Sequence, residues 1–261
     1  MTMTSKSPAR KTTAEINYSK LWAQIAHCRK CRDDVRINQQ IRTGWDAGTF
    51  VPFPSKGPEP SGRPVKYILV AEEPSSMWVG TRTRSEIQKA IREDERLRNF
   101  NGSLSDFLVR WAARQWLLRR GEAFYLTDLG KCSIAGLQAG PTRARRYNNC
   151  HEFLDREISV LRPRAIIPVG DDAYMWTLGF AQPDWPEISK PILHYAHRFP
   201  QNSNAPRDKT YVPDVDAINR YIQGNRPGSR KIFARRDRRA VELLRIYKAQ
   251  FTALKEQFAQ G

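Results

Sequence analysis

The sequence predicts a three-layer α/β/α fold with a central four-stranded parallel sheet and a long C-terminal helix. The first indication is that short, mostly apolar runs alternate with longer segments whose apolar residues recur at helical spacing. The second is that this alternation suits parallel strands, which need a crossover connection that a helix usually provides. The third is a single apolar seam that runs from Val241 to Phe258, near the C-terminus.

Four runs are interpreted as the strands of the sheet. Three of them, 65–71, 123–127 and 165–170, are short and largely apolar, as expected for strands that are covered on both faces. Pro168 cannot donate a ladder hydrogen bond, so we expect it at the end of its strand. The fourth predicted strand is the run 191–195.

Helices are predicted between and around these strands. The periodicity indicates helices over 14–27, 82–98, 103–119 and 142–161. A last long helix is predicted over 229–260, where the apolar residues follow 3- and 4-residue steps on one side.

Three parts of the chain are distinguished. Residues 1–13 are predicted to be a disordered basic tail, 14–223 the α/β/α domain, and 224–261 a basic C-terminal helical extension. The start of that extension is read either as a solvated helix end or as a patch that contacts phosphates. Its cations include Arg230, Lys231, Arg235 and Arg236.

The charge of the chain points to a polyanionic partner. Its 261 residues carry a formal net charge of +17, and for a soluble protein the commonest polyanion is nucleic acid. No apolar run is long enough to cross a bilayer, and the polar N-terminus lacks the apolar core of a signal peptide. We therefore expect a cytoplasmic protein that binds nucleic acid and no membrane. We also expect a monomer.

Four cysteines form two unequal pairs. Cys28 and Cys31 make a C-x2-C knuckle, whereas Cys132 and Cys150 bracket a loop and the start of a helix. Four thiolates are the usual ligands of a tetrahedral zinc or of a [4Fe–4S] cluster, and the wide second spacing suits the larger group. Four unrelated cysteines are the alternative. Disulfides are a weaker one, because a reducing compartment disfavours them.

Ligand sites in open parallel sheets lie at the carboxyl ends of the strands. For this chain the rule points to the segments 72–80, 128–132, 170–172 and 197–201.

The residues in these segments occur in a recognisable order. After the Cys28 knuckle, the chain contains Ala71-Glu72-Glu73-Pro74-Ser75, Met77-Trp78-Val79-Gly80, Thr127-Asp128-Leu129-Gly130-Lys131-Cys132, Cys150-His151-Glu152-Phe153-Leu154, the run 161–170 and His197. In this order they resemble the motifs of the family 4 and family 5 uracil-DNA glycosylases, the iron–sulfur branch of that superfamily. The resemblance spans roughly Cys28 to His197.

The resemblance implies a role for each matching position. The metal ligands would be Cys28, Cys31, Cys132 and Cys150, holding a structural [4Fe–4S] cluster; zinc is the alternative cofactor. For the excision of a flipped base, Trp78 would stack on the base and Asp128 would read its edge. His197 would donate a hydrogen bond to the leaving oxygen, and Glu72 would orient or activate water. Apart from the resemblance, the cationic Arg198 that follows His197 is a predicted DNA contact.

Three departures from the family pattern separate the possible functions. Asp128 stands where the family has Asn, and an ionised carboxylate offers only acceptors to a base edge. The turn before Trp78 is short. His197 is followed by Arg-Phe-Pro rather than Pro-Ser or Pro-Ala, which leaves His194 as an alternative. A glycosylase with an altered base preference is the leading hypothesis. A non-catalytic DNA-binding protein on this scaffold, or an unrelated zinc-stabilised nucleic-acid-binding protein, are the others.

Overall fold

The computed structural model describes the larger part of the chain. The described residues are 20–25, 27–31, 33–34, 37, 51–52, 57–72, 104–133, 141–195, 197, 199–225 and 233–260. The strands are β1 (Val51–Pro52), β2 (Val65–Ala71), β3 (Ala123–Asp128), β4 (Cys132–Ser133), β5 (Ala165–Pro168) and β6 (Glu187–Ile188). The helices are α1 (Leu104–Ala112), α2 (Pro141–Leu161), α3 (Asp171–Phe180), α4 (Val215–Asn225) and α5 (Arg238–Gln260). Shorter turns are a π-helical one (Ala113–Leu117) and a 3-10 one (Pro200–Asn202).

A four-stranded parallel sheet in the order β3-β2-β5-β6 forms the centre of the fold. Its register aligns Ala71 with Asp128 and Val70 with Pro168, so β2, β3 and β5 end at one edge. Helices cover both faces, and the predicted three-layer α/β/α class is confirmed. β1 and β4 form a separate antiparallel pair.

The third predicted strand is confirmed and the fourth is wrong. Pro168 is the last residue of β5, as its missing N–H requires. The fourth strand is β6, not the run 191–195, of which only Ile192 makes a bridge, to Val169. The run is apolar because Ile192 is buried, while the backbone around Tyr195 turns.

The alternation of side chains along each strand divides the core into two layers. On one face, Leu69 and Ile167 pack with residues of α1, α4 and α5. On the other face, Ile68 and Ile166 pack with Leu154 of α2 and with α3. Because successive strand residues point to opposite faces, a run that is apolar at nearly every position is what this two-sided burial demands.

The C-terminal helix starts later than predicted. α5 begins at Arg238 rather than at residue 229, because the Asp237 carboxylate accepts a hydrogen bond from the backbone N–H of Ala240, at 3.0 Å, and caps the helix there. Its apolar seam joins the same core as β2: Tyr67 and Phe258 stack with ring centroids 5.3 Å apart. The C-terminal helix is thus one of the layers that cover the sheet.

The other helical predictions hold in part. α2 matches its predicted bounds closely, whereas the predicted helix 103–119 is α1 followed by the π-helical turn. Residues 20–25 are helical within the predicted helix 14–27. The predicted tail 1–13 and helix 82–98 lie outside the described residues. In the part of the chain that is described, no helix has both the length and the apolarity to span a bilayer.

Candidate active site at the carboxyl edge of the sheet

Glu72 and Asp128 lie side by side at the carboxyl edge, as predicted. Asp128 is the last residue of β3 and pairs with Ala71, so Glu72 directly follows the paired position. The two loops beyond the strands are joined, because the backbone N–H of Gly130 donates to the Glu72 carbonyl at 2.8 Å. This places two acidic residues next to each other at one edge of the sheet.

Asp128 has an environment that favours its neutral form. Burial raises the pKa of its carboxyl to about 7, and the nearby cation of Lys131 opposes this effect while Asp106 adds to it. Near neutral pH, the carboxyl therefore exists in both forms. Its protonated form carries one O–H donor and one carbonyl acceptor, the same pair that an Asn amide presents.

Glu72 belongs to a charged triad at the ends of two helices. The Arg143 Nη1 atom lies 3.5 Å from Glu72 Oε2 and 3.1 Å from Asp172 Oδ2. Arg143 stands in the first turn of α2 and Asp172 in the first turn of α3. The Glu72 side chain is about one-fifth exposed, at 21%. The Glu72 carboxylate is therefore partly accessible to solvent, and the guanidinium of Arg143 limits its orientation.

Two histidines approach the same edge from the loop beyond β6. His194 packs against Gly170, at the end of β5, and stacks on Tyr195 with ring centroids 4.6 Å apart. Burial, together with the neighbouring His197, lowers the pKa of His194, and Asp172 opposes this. The structure thus brings both candidate histidines to the edge where Glu72 and Asp128 lie.

The Nδ1 atom of the His197 ring is buried and has no hydrogen-bond partner among the described residues. A buried polar atom without a partner carries a desolvation cost that a bound group could relieve. The backbone of His197 is well held, since its N–H donates to the His194 carbonyl at 2.9 Å and its carbonyl accepts from Arg239 Nε at 3.0 Å.

A fully buried ion pair lies beside Asp128. Lys131 Nζ is 2.6 Å from Glu157 Oε2, and both side chains are at most 1% exposed. Glu157 also accepts hydrogen bonds from Tyr125 at 2.8 Å and Thr127 at 2.9 Å. The Lys131 ammonium donates to Thr127 Oγ1 at 2.6 Å as well. This network connects the end of β3 to α2, and its two charges act on Asp128.

A second buried network lies behind the site, on the other face of the sheet. Arg110 donates from Nε to Asp106 at 3.2 Å and from Nη1 to Glu59 at 3.4 Å. Tyr221 donates its hydroxyl to the same Glu59 carboxylate. Because Asp106 and Arg110 both act on Asp128, this network contributes to the charge that Asp128 experiences.

The four cysteines interact with one another. Cys31 and Cys150 share a hydrogen bond, Cys132 is influenced by Cys150 and Cys28, and none of the four forms a disulfide. The hydrogen bond from Cys31 lowers the pKa of the Cys150 thiol to about 7, whereas burial raises that of Cys132. The two distant pairs of the sequence thus meet in one place.

Two N–H groups donate to the sulfurs of this cysteine group. The backbone N–H of Lys131 donates to Cys150 Sγ at 3.4 Å, and the Asn149 amide donates to Cys31 Sγ at 3.7 Å. Such N–H···S contacts are a usual outer shell for thiolate ligands. Among the described residues, however, no three Cys, His, Asp or Glu side chains are grouped so as to hold a metal ion. The cofactor stays a prediction.

The remaining predicted site residues lie elsewhere. Trp78, Arg198, Arg230 and Lys231 fall outside the described residues. Arg235 and Arg236 are exposed in the turn before α5. The sequence interpretation missed Arg143 and Glu157, and it placed Arg239 only among the basic residues at the start of the C-terminal helix, whereas Arg239 binds the carbonyls of Tyr195 and His197.

Helical spacing could have indicated that two of these residues, Glu157 and Arg239, face inward. Glu157 follows the buried Leu154 by three positions, and Arg239 precedes the buried Leu243 by four. Both charges therefore stand on the inner stripe of their helix, where a charged residue needs a buried partner.

The fold and the site define a class: a three-layer α/β/α protein with a cluster of polar side chains at the carboxyl edge of a parallel sheet. The family model of the uracil DNA glycosylase superfamily matches residues 87–222, just over half of the chain, and the chain belongs to this superfamily. The match includes Asp128, Cys132, Cys150 and His197. Among curated proteins, no sequence matches this chain.

Proposed function

We propose that this chain is a DNA glycosylase that flips a deaminated base out of DNA and hydrolyses its N-glycosidic bond in base-excision repair. The observation that carries the proposal is the placement of Glu72 and Asp128 at the ends of two paired strands. His197 is bonded to His194, which packs on Gly170 at the same edge of the sheet. Membership of the superfamily supports glycosidic chemistry on DNA. The assignment to the iron–sulfur branch is part of the proposal.

The chemistry needs groups that these residues supply. Breaking the bond makes the sugar oxocarbenium-like and leaves negative charge on the departing base. Asp128 reads the edge of the flipped base, and the His197 ring donates a hydrogen bond to the oxygen on which charge develops. Glu72, oriented by Arg143, positions the attacking water and stabilises the cationic sugar.

Three exposed side chains suit contact with a DNA strand. Phe199 follows the loop that carries His194 and His197, which we call the histidine loop. Its side chain is 51% exposed, which is unusual for so large an apolar ring. An apolar side chain at such a place can enter the base stack where a nucleotide has left it. Arg235 and Arg236, both exposed, offer charges for the phosphates.

The proposal includes a [4Fe–4S] cluster held by Cys28, Cys31, Cys132 and Cys150. Bound there, the cluster would order the segments that carry its ligands and would take no part in bond cleavage. Lys131 and Asn149 would hold two of the sulfurs through their N–H groups. Zinc is the alternative occupant.

Base release from defined DNA tests the proposal. Anaerobically purified protein is incubated with labelled oligonucleotides that carry uracil, hypoxanthine, xanthine or a mismatched thymine, and alkali then cleaves any abasic site. We expect cleavage at one of these bases, slowed by orders of magnitude but still measurable in His197→Ala and unchanged in His151→Ala. His151 is a matched control because it is exposed on α2. Absence of release from every substrate, with the metal centre intact, would refute the proposal.

One observation favours a second candidate, a DNA-binding protein without catalysis. The Glu72 carboxylate is engaged by Arg143 at 3.5 Å, which limits its use as a base. This candidate predicts salt-sensitive DNA binding without any abasic product. Loss of turnover in His197→Ala would exclude it.

A further inference from the structure

We infer that Arg239 is a positioning residue for His197, so that the C-terminal helix α5 forms part of the catalytic apparatus. The inference deepens the proposed function and rests on it, since it assigns the support of the proposed catalytic histidine. It also extends beyond the part of the chain that matches the family model, which ends at residue 222, before α5 begins.

The guanidinium of Arg239 joins three separate segments. Its Nε donates to the His197 carbonyl at 3.0 Å and its Nη2 to the Tyr195 carbonyl at 2.9 Å. Its Nη1 donates to Ser105 Oγ in α1 at 2.9 Å. One planar group thus fixes the histidine loop against both α5 and α1.

This backbone support matters because, among the described residues, none binds the Nδ1 atom of the His197 ring. Nδ1 is buried without a partner among the described residues, so the hydrogen bond that often orients a catalytic imidazole is not provided there. The position of the ring therefore depends on the position of its backbone. A displacement of about 1 Å at such a group can cost on the order of 100-fold in rate.

The shape of the arginine side chain is needed at this place. The three acceptors are met by three different nitrogens of one rigid plane. A lysine ammonium is a compact charge on a flexible stem, and it does not reproduce this fork. Arg239→Lys therefore keeps the charge and loses the geometry. Arg245→Lys is a matched control, because Arg245 lies on the same helix and donates to the carbonyl of Tyr211, away from the histidine loop.

Kinetics give the first test. In single-turnover base release, we expect Arg239→Lys to slow the reaction by about 10- to 100-fold. DNA affinity should stay unchanged, and Arg245→Lys should react like the wild type. In a His197→Ala background, Arg239→Lys should have no further effect, because residues that act as a unit are not additive. Rate losses that multiply would overturn the inference.

A spectrum gives a second test that does not need turnover. Protein labelled with 13C at its four histidines should show a His197 resonance, identified by its absence in His197→Ala. We expect Arg239→Lys to shift or broaden this resonance while those of the exposed His27 and His151 stay in place. An unchanged His197 resonance would overturn the inference even in an active enzyme. If Arg239→Lys shifts the His197 resonance while the wild-type protein releases no base, the inference is upheld and the proposed function is refuted.

Discussion

Gly170 and His194 are in close contact at the carboxyl edge of the sheet. A Cβ built on Gly170 would stand 3.1 Å from the His194 Cβ and 3.2 Å from its Cδ2. Gly170 also has φ +99° and ψ 158°, a backbone region that is essentially restricted to glycine. The absence of a side chain at position 170 therefore allows His194, and with it the histidine loop, to approach β5.

Gly170→Ala should destabilise the protein and displace His194. The backbone conformation alone costs about 1–3 kcal/mol for a residue with a side chain, and the contact with His194 adds to it. Urea unfolding measures the loss. Gly121→Ala separates the two causes, because Gly121 has φ +92° but nothing within 4 Å of the built Cβ.

A helical glycine provides the control for this comparison. Gly179 lies in α3, exposed, with open space around its built Cβ. Gly179→Ala should raise the free energy of unfolding by roughly 0.5–1 kcal/mol. If Gly170→Ala were no more harmful than Gly121→Ala, the contact with His194 would have no energetic weight.

Base release from uracil should fall as the pH rises through about 7, where burial sets the pKa of Asp128. Below that pH the neutral carboxyl offers a donor to uracil O4 and an acceptor to its N3–H. Above it, both oxygens are acceptors and one repels O4. Single-turnover rates across this range, with Asp128→Asn as the comparison, test the idea. The amide variant should lose this pH dependence.

Stability supplies an independent check on Asp128. Since its pKa is raised in the folded state, the folded protein binds the proton more tightly, and stability falls as pH rises from the unfolded pKa to the folded one. Asp128→Asn should therefore gain most over the wild type above pH 7. An equal gain at low and high pH would show that Asp128 titrates normally.

Replacing only one residue of the Lys131–Glu157 pair should strongly lower the free energy of unfolding. Lys131→Met leaves the Glu157 carboxylate buried without its cation, which typically costs about 3–5 kcal/mol. Replacing both residues, as in Lys131→Met with Glu157→Leu, should recover much of the loss. Lys30→Met is the control, because Lys30 pairs with Glu152 at the surface and such pairs contribute at most about 1 kcal/mol. Similar losses in the two single variants would contradict the argument.

Metal analysis tests whether the four cysteines bind a metal and which metal they bind. We expect about four iron atoms per chain in anaerobically purified protein. Cys132→Ser should lose iron and lower the melting temperature, because Cys132 is buried among the other cysteines. Zinc in place of iron would establish the alternative cofactor. Neither metal in the wild type would show that the cysteines are not ligands.

The salt dependence of DNA binding should locate the phosphate contacts. Each of Arg235→Gln and Arg236→Gln should reduce the slope of log K against log salt concentration by about 1. Arg120→Gln is the control, since Arg120 is equally exposed but lies before β3, at the opposite edge of the sheet. An equal change in the control would mean that net charge alone matters.

The sequence predicted what depends on local pattern. The runs at 65–71 and 123–127 are apolar at nearly every position, and this follows from burial on both faces of a parallel sheet. Because the carboxyl ends of parallel strands share an edge, the strand pattern alone was enough to place Glu72 and Asp128 together. The start of α5 was misplaced because the residues from 229 are as polar and charged as its exposed face, while the Asp237 cap is a single residue.

The sequence failed where a side chain is defined by a distant partner. Arg143 joins Glu72 to Asp172, and Arg239 binds the carbonyls of Tyr195 and His197. Each of these arginines is one among many cations of a basic chain, and local spacing at most indicates that an arginine faces inward without naming the partner that it binds. The partner that gives it a function stands tens of residues away.

The packing of α5 has a consequence for how the protein is made. Its residues Leu244, Tyr247 and Phe251 cover the same sheet face as Tyr67 and Leu69, almost two hundred residues earlier. During synthesis, β2, β3 and β5 leave the ribosome well before the helix that shields them, so one apolar face stays open to chaperones or to other nascent chains. The histidine loop receives its arginine anchor only when that face closes. The last stage of folding is therefore also the stage that completes the site.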